Sequence, residues 1–170
     1  ASDVYKRQDN DDVIIKEQNG AFKVVEYKRD LSVDYEQAQS SYFASEMNVR
    51  RRQLVCDVSK SNITVQAGAM QWMIGNVSST TGIKGAGDFF KKALRGSVTG
   101  EGAIKPEYTG DGLLVLEPTY KHILLLDADD WDNEIIIEDG LFLACDSELE
   151  HKAIMQSNIS SAVAGGEGLF

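Results

Sequence analysis

Apolar residues fall in short runs along this chain, and most of the runs have strand length. Val13-Ile14-Ile15 and the stretch from Phe22 to Tyr27 are β-branched or aromatic and are split by Asn19-Gly20, a strong hairpin signal. Next comes a segment with helical spacing near residues 34–46. Ser32 or Asp34 can cap it, and Ala38, Tyr42 and Met47 recur near one face with Phe43 beside them. The β pattern then returns in Leu54 to Val58, Ile63 to Val65, Met70 to Ile74, Leu113 to Leu116, Ile123 to Leu126, Ile135 to Ile137 and Leu141 to Cys145. Gly110-Asp111-Gly112 reads as a compact turn that joins Tyr108-Thr109 to Leu113-Leu114. Ile123-Leu124-Leu125-Leu126 is apolar on both faces and predicts an interior strand. Short strands about ten residues apart predict an antiparallel sandwich or roll, with a second short helix near residues 86–96. The expected fold class is mainly β.

Two stretches repeat a pattern. Ile63 to Met70 aligns with Ile135 to Phe142, and Gly100-Glu101-Gly102 aligns with Gly166-Glu167-Gly168. The pattern predicts two pseudo-repeated β units that pack on each other. In the first unit a strand, the glycine-rich turn and another strand follow the Gly-Glu-Gly mark. The second unit has no such sequel before Phe170, which predicts a single domain over 9–170, truncated at its C-terminus. Residues 1–8 read as a non-native leader, since Ser2 to Gln8 resembles a reading frame of a transposon end.

Seventeen Lys and Arg against 27 Asp and Glu give a net charge of −10. That balance disfavours nucleic acid as a partner. Two cysteines, Cys56 and Cys145, sit in apolar runs and read as reduced core residues, so a cytoplasmic location is expected. No apolar run approaches the roughly 18 residues of a membrane span.

Motifs for chemistry fail one after another. His122 and His151 have no second His at ligand spacing, so no metal site is predicted. The acidic cluster from Asp127 to Glu134 fails as a calcium loop, because Trp131 and Asp132 stand at its fifth and sixth places, the sixth needing Gly. It reads as a solvated turn. The glycines from Gly82 to Gly102 match neither the phosphate-loop nor the dinucleotide pattern, and no nucleophile elbow is present. No catalytic residue and no cofactor are expected. Arg50-Arg51-Arg52 reads as the polar lead-in of a strand.

One stretch carries a sharper pattern. Phe89, Phe90, Ala93 and Leu94 share one side of the expected helix, and Lys91, Lys92 and Arg95 lie on the rest. The plainer reading is a helix that covers the end of the core with solvated lysines. The other is a membrane- or partner-contact element formed by Phe89, Phe90, Lys91, Lys92, Leu94 and Arg95.

Five collinear blocks carry a family likeness: Ala67 to Met73 with Gly75-Asn76, Lys105 to Tyr108, Leu116 to Tyr120, Glu138 to Ala144, and Gly165 to Phe170. From about residue 10 onward the chain resembles a bacterial member of the altered inheritance of mitochondria protein 24 family. The resemblance implies a β-sandwich similar to that of the tryptophan RNA-binding attenuator protein, continuing past Phe170. The N-terminal part looks like the Gram-positive version. Eukaryotic relatives are implicated in inner-membrane organisation, and no catalytic residue carries over. The expectation is a non-enzymatic scaffold that binds itself or a protein partner, with an anionic membrane surface as a further partner. The alternatives are a small-ligand binder or enzyme with a pocket between the two units, and an RNA-binding protein.

Overall fold

A computed structural model describes residues 11–30, 32–80, 105–132 and 134–151. They form one curled antiparallel sheet, a half-barrel, with a single α-helix. The strands are β1 (Val13–Asn19), β2 (Phe22–Tyr27), β3 (Arg52–Asp57), β4 (Ile63–Val65), β5 (Met70–Thr80), β6 (Glu107–Leu116) and β7 (Ala144–Asp146), and α1 is Ala38–Glu46. The sheet order is β1-β2-β3-β6-β4-β7, with β5 on the other edge of β6.

The Asn-Gly signal does make a hairpin. Asn19 pairs with Phe22 across a two-residue loop in which Gly20 takes φ +52°. Gly68, at φ +80°, closes the β4–β5 turn, where Ala69 N–H donates to Gln66 O at 3.1 Å.

Gly110-Asp111-Gly112 is not a turn. It lies inside the unbroken strand β6, opposite Gly75, Asn76 and Val77 of β5. The glycines serve close approach instead. A Cβ on Gly110 would stand 2.1 Å from Asn76 O, and one on Gly112 would stand 2.1 Å from Ile74 O. Along the opposite edge of β6, Leu113–Val115 pair with β3 and Glu107–Tyr108 pair with β4. The glycines fall in the gap between, where Val58 N–H donates to Gly112 O at 2.9 Å. Here the sheet turns its corner.

The sheet buries residues on both faces, with neighbouring side chains alternating between them. On one face Val24, Leu54, Cys56, Val58, Ile63, Val65, Tyr108, Leu114 and Leu116 form the main core. On the other, Val13, Val25, Val55 and Val115 form a smaller cluster with Tyr27 and Trp72 against it.

Ile123–Leu126 is not an interior strand. It runs as an extended strap with Ile123 and Leu125 on the main core, while Leu124 and Leu126 face solvent. Ile135–Ile137 is irregular and exposed, unlike its sequence counterpart Ile63–Val65 in β4. Only Ala144–Asp146 of the last apolar run is a strand, and it pairs with β4.

Candidate functional site

The expected contact residues Phe89, Phe90, Lys91, Lys92, Leu94 and Arg95 lie outside the described residues, as does the expected helix near 86–96. The last described residue before them, Thr80, pairs with Glu107 of β6.

The described residues hold a buried charge cluster that the sequence reading missed. Glu26 on β2 and Arg52 on β3 face each other in register and are 1% and 3% exposed. Arg52 Nη2 lies 2.7 Å from Glu26 Oε2, with Arg50 Nη1 at 3.5 Å and Lys16 Nζ at 3.9 Å from Oε1. The carboxylate is held by charge rather than by well-aligned hydrogen bonds. Arg52 also donates to Asn48 O (3.2 Å), Arg50 O (3.2 Å) and Tyr120 O (3.4 Å). It therefore ties β3 to the end of α1 and to the segment after β6. The three arginines are structural groups, with Arg50 and Arg52 on Glu26 and Arg51 on Asp30.

On the face of the smaller cluster an open cleft of about 270 Å³ is lined by Asp12, Tyr27, Asp30, Arg51, Gln53 and Gln71, among others. Its polar groups pair with one another. Arg51 Nη1 donates to Asp30 Oδ2 (2.9 Å) and Ser32 Oγ (2.7 Å), and Arg29 pairs with Asp12. Tyr27 donates to Gln53 Oε1, and Gln53 Nε2 donates to Gln71 Oε1 at 2.8 Å and Leu116 O at 2.9 Å. Burial works to raise the Asp30 carboxyl, but the hydrogen bonds from Ser32 and Arg51 outweigh it and hold the pKa below its ordinary value.

Cys56 and Cys145 are both free thiols. Cys145 Sγ lies 3.0 Å from His151 Nε2, the spacing of a nucleophile and its base. The electrostatics oppose that use. Burial, helped by Asp146, pushes the Cys145 thiol up to about 11, while burial and Lys105 lower the His151 pKa. The pair is a thiol–imidazole hydrogen bond without a thiolate.

Among the described residues no three His, Cys, Asp or Glu side chains cluster to hold a metal, and His122 is exposed. The acidic stretch after Leu126 is a capped turn. Asp127 Oδ1 accepts from Asp129 N–H at 3.1 Å and opens the short 3-10 helix Ala128–Trp131. No described helix is long and apolar enough to cross a membrane.

Comparison with known proteins supplies the kinship. No curated protein and no solved structure matches the chain. A family model described as "Mitochondrial biogenesis AIM24" matches residues 45–170, which takes in β3 to β7, the Arg52 site and the strap. That match spans well over half of the 170 residues and agrees with the collinear blocks, so the chain belongs to the mitochondrial biogenesis AIM24 family.

Proposed function

We propose that the protein is a non-enzymatic scaffold that assembles with itself or with a protein partner. The exposed apolar surface carries this reading. Leu124, Leu126, Ile136 and Leu141 stand in solvent along the segment between β6 and β7, and Met70, Met73 and Ile74 on β5 are also exposed. Where such residues lie side by side they mark an interaction surface. The cleft supports a ligand site less well, because its donors and acceptors already satisfy one another. RNA binding is disfavoured by the arginines, whose charges are spent on Glu26 and Asp30.

The pseudo-repeat belongs to the same proposal. Pairing of β4 with β7 sets a strand of the first sequence unit beside one of the second. A sandwich like that of the tryptophan RNA-binding attenuator protein would cover the open side of the half-barrel. Two free thiols suit a cytoplasmic setting. Sedimentation of the full chain between about 1 and 100 μM tests the scaffold; a monomer throughout, with no partner recovered by cross-linking, refutes it.

A second reading rests on the basic, aromatic stretch at Phe89–Arg95, which suits an anionic membrane surface. Flotation with anionic vesicles tests it. Binding that Phe89→Ser with Phe90→Ser abolishes supports it, and no binding, or binding unchanged by that pair, removes it.

A further inference from the structure

Helix α1 is built inside out. None of its nine residues is buried, and its half-buried positions are the small Ser41, Ala44 and Ser45. The large apolar side chains point away, with Tyr42 62%, Phe43 59% and Met47 79% exposed. The Tyr42 and Phe43 rings meet edge to face at 5.5 Å, which makes one aromatic platform. A surface helix normally does the reverse. Nine residues are also too few for a stable helix in water without a packed face. Polar ties hold this one: Asp34 Oδ1 accepts from Gln37 N–H at 3.0 Å, and Arg50 Nε donates to Ser45 O at 3.2 Å.

Charge identifies what the platform would accept. From Asp34 to Val49 the chain carries Asp34, Glu36 and Glu46, all exposed, and no Lys or Arg. A segment with exposed acids and no base disfavours anionic lipid and suits a basic, apolar partner. The sequence holds such a segment in Phe89-Phe90-Lys91-Lys92-Ala93-Leu94-Arg95, with Lys84 before it. Among the described residues nothing buries the platform, and the self-assembly reading supplies its occupant from a second copy.

We propose that the Tyr42–Phe43–Met47 face of α1 is the docking surface for the Phe89–Arg95 stretch of a second copy of this protein. The inference rests on the self-assembly reading and names its contact. Reciprocal exchange of the two patches closes a two-fold dimer, and one-way exchange gives a ring or a longer assembly. A chain of net charge −10 repels its copies, and apposing an acidic and a basic patch offsets that repulsion.

Sedimentation velocity of the full-length chain at two salt concentrations tests this, with four variants. Tyr42→Ser with Phe43→Ser, Glu36→Lys with Glu46→Lys, and Lys91→Glu with Lys92→Glu should each weaken association at least tenfold. Combining the two charge reversals should restore it, and added salt should weaken the wild type. The altered α1 positions are exposed, and urea midpoints within error of wild type verify their folding. If the wild type assembles and the α1 variants assemble equally well, this contact is wrong and the scaffold stands. If the wild type is a monomer throughout, both fall. If the Tyr42–Phe43 variant instead loses binding to neutral vesicles while its association is unchanged, the face is a lipid surface and the proposal is overturned.

Discussion

Replacing Gly110 by alanine tests the most unexpected part of the fold. Gly110 sits in β6 at φ +124°, a conformation that costs an L-residue about 1–3 kcal/mol. The new Cβ would also lie 2.1 Å from Asn76 O, 3.2 Å from Asn76 C and 3.3 Å from Val77 Cα. All three are backbone atoms of the paired strand, so no side chain can swing aside. Either β6 changes its dihedrals or β5 is pushed out of the ladder, and each hydrogen bond lost there costs about 1 kcal/mol. The sum is about 3–5 kcal/mol, a large part of the total stability of an ordinary domain.

Gly20→Ala is the matched control. Gly20 also has positive φ, +52°, but nothing lies within 4 Å of its added Cβ, so only the backbone term of about 1–2 kcal/mol applies. Urea unfolding followed by circular dichroism and tryptophan emission measures both variants. Gly110→Ala should unfold at clearly lower urea than Gly20→Ala, with Gly112→Ala as damaging. Were Gly110–Gly112 the hairpin turn that the sequence pattern suggests, the two variants would lose similar stability. Equal midpoints, or a milder Gly110→Ala, would refute the continuous strand.

Arg52→Met should cost about 3–5 kcal/mol, because Glu26 then keeps only Arg50 at 3.5 Å and Lys16 at 3.9 Å around a buried carboxylate. Adding Glu26→Leu should recover most of that loss in urea unfolding, and a double variant no better than the single one contradicts the pairing. The depressed Asp30 pKa places that residue's stabilisation above the ordinary carboxylate value, to be lost as pH falls below about 4. Asp30→Asn should accordingly flatten the acid limb of a stability–pH curve by under ~1 kcal/mol, the pair being partly exposed, and an unchanged acid limb argues against it. Thiol labelling of the native protein should leave Cys56 untouched, since it is fully buried with its thiol pushed up to about 12. Cys145, at about 11, should react slowly, about tenfold faster per pH unit from 7 to 9. A labelling plateau near pH 7 would mean that His151 does activate it.

Local chemistry made the first half of the fold legible. Asn19-Gly20 specified its hairpin through one positive φ, and Ile63–Val65 reads as a strand in both sequence and structure. Pattern failed where tertiary contact decides. Gly110-Asp111-Gly112 has turn composition, yet its glycines answer to the backbone of β5, which no local window contains. Ile123–Leu126 and Ile135–Ile137 have strand composition, but neither pairs as a strand among the described residues. The charge cluster was hidden for a related reason. Glu26 shares the face of Phe22 and Val24, but the local sequence names no counter-charge for it, and only the pairing of β2 with β3 brings Arg52 opposite. The spacing of Ala38, Tyr42 and Met47 correctly signalled a helix, but not that its large apolar side chains would face outward.

The family match begins at residue 45, but the physics of the sheet does not. Arg50 and Arg52 lie inside the matched residues, and the carboxylate they share, Glu26, lies outside. Without β2, the Arg52 guanidinium would be left with carbonyl partners and no counter-charge, an expensive state for a buried cation. β3 would lose its pairing with Phe22–Glu26, and the main core would lose Ala21 and Val24. The N-terminal hairpin is therefore a structural part of the same sheet. Helix α1 is a different kind of addition, because removing its exposed face would cost that sheet no buried side chain. Its aromatic rings are exposed among the described residues, and the docking proposed above would cover them.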